Sequence, residues 1–118
     1  MKENKRGIGL KYALQGIFLA FIHERNFRIH IIIATVVIVV SFILTLTKME
    51  WLFVLMSIFL VLVTELINSN IERIIDYIKP EFHPEAKIIK DIAAGTVLLA
   101  AIFAVIVGIM IIIPKFIF

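Results

Sequence analysis

Residues 62–76 read LVTELINSNIERIID, and this stretch changes character within a few helical turns. It begins as the end of a long apolar run and finishes among carboxylates. At about 100° per residue, its polar side chains share one helical face: they are Glu65, Asn68, Ser69, Glu72 and Asp76. A carboxylate at membrane depth is costly and points to a functional site. The alternative is an acid paired with Arg or Lys for helix association, which explains Glu65 better than it explains the whole stripe.

The composition indicates that lipid surrounds much of the chain. Its 118 residues are 62% hydrophobic, whereas soluble domains have about 45–50% apolar residues. The length predicts one domain, residues 1–118, which is too small to bury so many apolar side chains. The sequence has no cysteine, which excludes a disulfide framework and a cysteine-ligated metal site.

Three stretches are long and apolar enough to cross a bilayer, which takes about 20 residues. They are residues 29–47, 51–71 and 92–113. Many of these residues are β-branched, but an open strand edge is not viable in lipid. We therefore predict an all-α integral membrane protein. Residues 10–22 place their apolar side chains on one stripe, which predicts an amphipathic surface helix; the alternative is a helix packed on the others.

The distribution of Lys and Arg predicts the orientation of the chain in a cell membrane. Most basic residues precede the first span or lie between the second and third; these are Lys2, Lys5, Arg6, Lys11, Arg25, Arg28, Arg73, Lys79, Lys87 and Lys90. Only Lys48 and Lys115 lie on the other side. We expect the N-terminus and the 72–91 segment to be cytoplasmic, with Trp51 as an outer interfacial anchor.

Small residues recur every seven positions in the third span, at Ala94, Ala101 and Gly108, with Ala93, Ala100 and Ala104 nearby. Small residues on one seam let helices approach closely in lipid, although alanine is also common in membrane helices. Since three helices alone bury little surface, we expect an oligomer.

Charged side chains from three helices are expected at one membrane face. Glu24 and Arg28 precede the first span, and Lys90 and Asp91 precede the third. Carboxylates held close together disfavour joint ionisation unless a cation joins them. Mg²⁺ binds one or two carboxylates together with phosphate oxygens, and neighbouring lysines suit a polyphosphate. We therefore expect a metal-bound nucleotide at this face.

Glu65 lies deeper than the other acids, where it can act on a group that arrives from the lipid. Phosphoryl transfer to a lipid alcohol needs a base at the bilayer boundary, a nucleotide from water and in-line positioning. The arrangement of acids and bases therefore predicts this reaction.

The same residues carry a resemblance to the prokaryotic diacylglycerol kinase family, which includes the undecaprenol kinases. Its centre is ELINSNIERIID at 65–76, which matches the family pattern E-x-x-N-[ST]-x-x-E-x-x-[VI]-D. ERNFRIH at 24–30 and HPEAKIIKDIAAG at 83–95 support it. The resemblance implies a homotrimer of three-span subunits with shared active sites, which uses MgATP to phosphorylate a membrane lipid alcohol.

The resemblance also implies a role for each matching position. Glu65 corresponds to the catalytic base, and Glu24 and Glu72 correspond to the metal-binding glutamates. Asn68 and Asp76 match motif positions around the site. The nucleotide-binding positions are, besides Glu24 and Glu72, Tyr12, Glu81, Phe82, His83, Lys90 and Asp91. The lipid-binding positions are, besides Glu65, Asn26, Phe27, Arg28, Ile29, His30 and Ala94.

The chain departs from the best-known member of the family at three positions. Lys5 stands where that member has an arginine, Ala94 replaces a serine that lines the lipid site, and His30 replaces a glutamate. We expect these changes to affect lipid recognition more than the reaction. The style of PEFHPEAKIIKDIAAG, residues 80–95, favours undecaprenol as the substrate, with diacylglycerol as the alternative. A non-enzymatic helical scaffold or channel is the rival of another class.

Overall fold

The computed structural model describes residues 9–118, which are helical apart from short connections. The predicted Lys5 therefore lies outside the described residues. The helices are α1 Gly9–His23, α2 Arg25–Leu44, α3 Lys48–Ile78, α4 Pro84–Val107, a π-helical turn Gly108–Ile112 and α5 Ile113–Ile117. The last three run on continuously, since one apolar helix spans Pro84–Ile117.

Within residues 9–118 the all-α prediction is confirmed, and three helices there are long and apolar enough to cross a membrane. Both α3 and α4 extend beyond the spans predicted from hydropathy, because a helix need not end where its apolar segment ends. The polar stripe thus stays helical as far as Ile78. α1 forms where a surface helix is expected, and its position in the membrane interface stays a prediction.

The break between α1 and α2 is one residue long. Glu24 has an extended backbone, with φ −112° and ψ 108°. Arg28 donates from Nη1 to the carbonyl oxygens of Phe21, at 2.9 Å, and Ile22, at 2.7 Å. These carbonyls belong to the last turn of α1 and lack an intrahelical partner. Arg28 therefore ties the end of α1 to the start of α2 and fixes Glu24 between them.

The turn between α2 and α3 has two features that end one helix and begin the next. Thr45 adopts the left-handed conformation, with φ 53° and ψ 66°, and ends α2. Thr47 begins α3 with a capping box, in which its hydroxyl accepts from the Glu50 amide and the Glu50 carboxylate accepts from the Thr47 amide. Lys115 lies 3.1 Å from the same carboxylate, which joins the end of the chain to the start of α3.

The buried side of α4 presents Ala93, Ala100 and Val107. This seam has the expected spacing of seven, and it contains Ala93 and Ala100, which the sequence places beside the repeat of Ala94, Ala101 and Gly108. Two stripes with a spacing of seven, one beginning at Ala93 and the other at Ala94, lie side by side on the helix. Packing against the neighbouring helix decides which stripe is buried. α4 packs mainly against α3, and the small side chains allow close approach.

Most apolar side chains of the described chain remain exposed, including Phe42, Leu99 and Met110. The buried apolar residues are Phe27, Val54, Ala93, Ala100 and Val107. Lipid, or further copies of the chain, must cover the remaining apolar surface, because the exposure of so much apolar surface to water is unfavourable.

The capping box at Thr47 gives a test of the α2–α3 turn. We expect Thr47→Ala to lower the free energy of unfolding by about 1 kcal/mol, since loss of an N-cap hydroxyl typically costs about 0.5–2 kcal/mol. Thr47→Ser keeps the hydroxyl and is the matched control. The measurement is the midpoint of thermal unfolding in detergent micelles. Equal midpoints for the alanine and serine variants would contradict the role of the cap.

Candidate active site

The polar stripe of α3 becomes steadily more exposed along the helix. Glu65 is 3% exposed, and Asn68 and Ser69 are also buried. Glu72 is half-buried, and Asp76 is exposed. The acids on this one helix face therefore range from the buried Glu65 to the exposed Asp76.

The Glu65 carboxylate has a different neighbour at each oxygen. Ser69, one turn further along α3, donates its hydroxyl to Oε2 at 3.0 Å. Nε2 of His30, on α2, lies 3.6 Å from Oε1. Within residues 9–118, the buried Oδ1 of Asn68 has no hydrogen-bond partner. Glu65 therefore stands between its own helix and α2, with its second oxygen directed at an imidazole.

A groove of about 400 Å³ lies beside the more exposed half of the polar stripe, from Ser69 to Asp76. We call it the carboxylate groove. Its lining residues are Glu24, Ser69, Glu72, Arg73, Asp76 and Tyr77. Arg73 contacts Glu24 through Nη2 at 2.6 Å from Oε2 and so neutralises one of the acids.

The carboxylate groove suits a cation that is completed by a ligand. Within the described residues no three His, Asp or Glu side chains form a metal-binding group. Glu24 and Glu72 nevertheless line the same groove, and Mg²⁺ commonly uses one or two carboxylates and takes its other oxygens from water and phosphate. The donor set thus fits Mg²⁺ that arrives with a polyphosphate.

A second, more basic pocket of about 280 Å³ lies at the α3–α4 connection. We call it the loop pocket. Its lining residues are Ile75, Asp76, Lys79, Pro80, Glu81, Phe82, His83, Ala86, Lys87, Lys90 and Asp91. Asp76 also lines the carboxylate groove, so the two sites adjoin.

Ion pairs order the lysines of the loop pocket. Lys90 lies 2.8 Å from Asp76, and Lys87 lies 2.6 Å from Asp91. His83 caps α4, where its Nδ1 accepts from the Glu85 amide at 3.1 Å. The cations are therefore held beside acids at the start of α4.

An apolar groove of about 370 Å³ lies on the other side of Glu65, among α2, α3 and α4. His30 is at one end, followed along α2 by Ile33, Ala34 and Val37. The remaining lining residues are Val54, Ser57, Ile58, Val61, Leu62, Ala104, Val105, Val107, Gly108, Ile109, Ile112 and Ile113. The lining of this groove is therefore almost wholly apolar.

The structure brings most of the predicted site residues together. Glu65 and His30 are neighbours, Glu24 and Glu72 share the carboxylate groove, and the predicted nucleotide positions from Glu81 to Asp91 share the loop pocket.

Some predicted positions lie apart from these three sites. Tyr12 is exposed on α1, and Ala94 is exposed on α4 outside the lining of the apolar groove. In the lipid-binding segment, Phe27 is buried and Arg28 is turned to α1, while Asn26 and Ile29 are exposed. Their predicted ligand contacts stay predictions.

Two side chains at the site received no role from the sequence. Ser69 bonds Glu65, and the spacing of four residues on one helix is the signal that could have found this contact. Arg73 pairs with Glu24, 49 residues away in the sequence, and no local sequence pattern predicts such a contact.

Comparison with known proteins agrees with the geometry. The family model for prokaryotic diacylglycerol kinase matches residues 11–112. An undecaprenol kinase of Bacillus subtilis is 36% identical over 104 residues, which cover 88% of this chain and 85% of that protein. A diacylglycerol kinase of Escherichia coli is 32% identical over 95 residues, which cover 80% of this chain and 78% of that protein.

A diacylglycerol kinase of Synechocystis is 40% identical over 108 residues. The match covers 91% of this chain and 62% of that relative, so the chain spans less than two thirds of the relative's length. The relatives named above are lipid kinases. From the extent of the family match and from these identities, we conclude that the chain belongs to the prokaryotic diacylglycerol kinase family.

Proposed function

We propose that this protein transfers the γ-phosphoryl group of MgATP to the hydroxyl group of a membrane lipid alcohol. The preferred alcohol is undecaprenol, which becomes undecaprenyl phosphate; diacylglycerol, which becomes phosphatidic acid, is the alternative. One observation carries the proposal: Glu65 stands between an apolar groove that ends at His30 and a carboxylate groove that begins at Ser69.

In this proposal Glu65 is the base that accepts the hydroxyl proton. The lipid oxygen forms a bond to the γ-phosphorus while the bond from that phosphorus to the β–γ bridging oxygen breaks, and ADP leaves. Ser69 holds one carboxylate oxygen at 3.0 Å and leaves the other for proton transfer. Asn68, buried beside them with an unpaired Oδ1 among the described residues, supplies an acceptor at the same depth.

The nucleotide occupies the loop pocket and the carboxylate groove in this proposal. Mg²⁺, when bound, neutralises charge on the transferred phosphate and is held by Glu24 and Glu72. Lys90 binds phosphate oxygens, while Asp76 and Asp91 hold the lysines. Glu81, Phe82 and His83 complete the nucleotide site. The support for this placement of the nucleotide is that Asp76 lines both cavities. Tyr12 lies on α1 outside both cavities and joins the proposed site through the family resemblance alone.

The apolar groove holds the hydrocarbon chain of the lipid. From His30 to Val37 it runs roughly 10 Å along α2, at about 1.5 Å per residue, and apart from His30, Ser57 and Gly108 its lining side chains are aliphatic. A polyprenol, with one hydroxyl and a long hydrocarbon chain, needs no polar partner along such a wall. The exposed Asn26 and Ile29 lie at its entrance in the proposal.

The proposed assembly is a homotrimer with shared active sites in a bacterial cytoplasmic membrane. Extensive exposed apolar surface on α2 and α4 supports further protein contacts, and Ala94 then faces the lipid site from a neighbouring copy. The excess of Lys and Arg supports a cytoplasmic N-terminus and a cytoplasmic active site.

A non-enzymatic scaffold or channel explains the helices and the small-residue seam. It does not explain why a buried carboxylate adjoins both an apolar groove and a groove lined by acids and bases. The kinase proposal accounts for both.

A lipid panel tests the proposal and its substrate. We expect higher kcat/KM on undecaprenol than on diacylglycerol when purified protein is assayed with MgATP in the same micelles. Diacylglycerol has ester carbonyls that a serine hydroxyl would bond, and one hydrogen bond is worth roughly 0.5–1.5 kcal/mol. Ala94→Ser should therefore narrow the difference. A preference of about tenfold for diacylglycerol, about 1.4 kcal/mol, would overturn the substrate while leaving the lipid kinase proposal in place.

Replacement of the proposed base gives a second test. We expect Glu65→Gln to lower kcat by about 10²–10⁴-fold, the usual loss for a general base, with little change in nucleotide binding. Glu85→Gln, an exposed position on α4 outside the three sites, is the control. Radiolabelled phosphate transfer and nucleotide binding are measured on the same preparations. Near-normal turnover in Glu65→Gln would assign Glu65 a structural role.

The metal assignment is tested through the dependence of activity on Mg²⁺ concentration. We expect Glu24→Gln and Glu72→Gln each to raise the Mg²⁺ concentration required for half-maximal activity, because each removes a carboxylate from the carboxylate groove. The Glu85→Gln protein again serves as the control. If both variants follow the unmodified protein's Mg²⁺ curve, these glutamates do not hold the metal.

A further inference from the structure

The side chain that the apolar groove offers to a lipid hydroxyl is His30. It carries the only titratable group among the described residues that line this groove. Glu65 lies behind it: the Glu65 side chain is 4% exposed and that of His30 is 23% exposed. A hydroxyl that moves along the groove therefore meets the imidazole before it meets the carboxylate.

We propose that the hydroxyl proton reaches Glu65 through His30, so that the two residues act as one proton-accepting pair. This inference rests on the proposed lipid kinase function and gives His30 a part in the reaction rather than only in lipid recognition.

The geometry assigns a direction to the proton. Neutral His30 carries its hydrogen on Nε2, which faces Oε1 of Glu65 at 3.6 Å, and this leaves Nδ1 as the acceptor. As the lipid oxygen bonds to the γ-phosphorus and the bond to the β–γ bridging oxygen breaks, the hydroxyl proton passes to Nδ1. The Nε2 proton passes to Oε1. The imidazole ends neutral, Glu65 ends protonated, and ADP leaves with the bridging oxygen.

The separation of 3.6 Å is longer than a hydrogen bond, as catalytic contacts often are before the substrate binds. Two features keep the Glu65 carboxylate and the His30 ring close to each other, so that only a small motion closes the gap between them. Ser69 holds Oε2 at 3.0 Å, so the carboxylate can turn little, and His30 lies on a helix whose start is fixed by Arg28.

The surroundings of His30 leave Glu65 as its charged neighbour. On its own helix, Arg28 is turned to the α1 carbonyls at 2.7–2.9 Å. From α3, Glu65 faces it, with Ser69 on the far oxygen. The segments of α4 and α5 and the intervening π-helical turn that line the groove contribute aliphatic side chains and Gly108. On α1, His23 is exposed. A carboxylate that faces an imidazole fixes the orientation of the ring.

Replacement of His30 by Gln separates a proton carrier from a structural contact. The amide keeps a donor for Glu65 and a similar length, but it cannot accept and pass on a proton. We expect kcat on the best lipid to fall by about 10²-fold or more, as for a lost general base, while the lipid KM stays within about threefold. His23→Gln makes the same change on α1 and should match the unmodified protein.

The pH profile provides the readout that a merely structural role would not alter. A protonated imidazole cannot accept the hydroxyl proton, so the proposed path needs the neutral ring. Activity of the unmodified protein and of His23→Gln should therefore fall as the pH is lowered. The residual activity of His30→Gln should lack that fall. In His30→Ala, added imidazole should restore part of kcat.

The outcomes separate this inference from the proposed function. An unmodified protein that phosphorylates lipid, with His30→Gln retaining kcat and the same acid-side fall, overturns the proton path alone. A raised lipid KM with unchanged kcat also overturns it and returns His30 to lipid contact. Absence of phosphoryl transfer to every lipid in the unmodified protein overturns the proposed function itself.

Discussion

The burial of the Glu65 carboxylate is the constraint on which the rest of the structure depends. Removing a carboxylate from water has an effective cost of several kcal/mol, and an uncompensated one would neutralise or unfold the site. The compensation comes from two helices, through the Ser69 hydroxyl at 3.0 Å and the His30 imidazole at 3.6 Å. Because Glu65 has partners on both helices, it favours one position of α2 along the length of α3, which we call their register. The apolar groove and the carboxylate groove lie on either side of Glu65 and depend on that register.

The turn between α2 and α3 makes this register possible. His30 lies roughly 21 Å, and Glu65 roughly 26 Å, along its helix from the turn at about 1.5 Å per residue. With α2 ending at Leu44 and α3 beginning at Lys48, the two side chains come to similar distances from the turn and can meet. The left-handed Thr45 and the Thr47–Glu50 capping box set those ends. The Lys115–Glu50 contact adds the end of the chain to the same point.

The sequence predicts whatever depends on local periodicity or on hydropathy. The three membrane helices and the common face of Glu65 and Ser69 follow from the apolar lengths and the helical repeat. Contacts between distant residues do not follow, because side-chain periodicity carries no information about the partner helix. The Arg73–Glu24 pair is therefore unexpected, and the sequence does not decide which of the adjacent small residues of α4 are buried. The left-handed Thr45 has no signal either, since glycine is the usual residue in that conformation.

His30 also shows how one departure from the family resemblance changes the electrostatics of a buried site. A glutamate at this position would place a second carboxylate against Glu65, and two carboxylates so close cannot both be ionised without a cation. One of them would have to hold a proton before the reaction began. A neutral imidazole instead adds no second negative charge beside Glu65 and has one ring nitrogen free to accept a proton. In the proposed proton path, the histidine therefore bears on the chemistry as well as on lipid recognition.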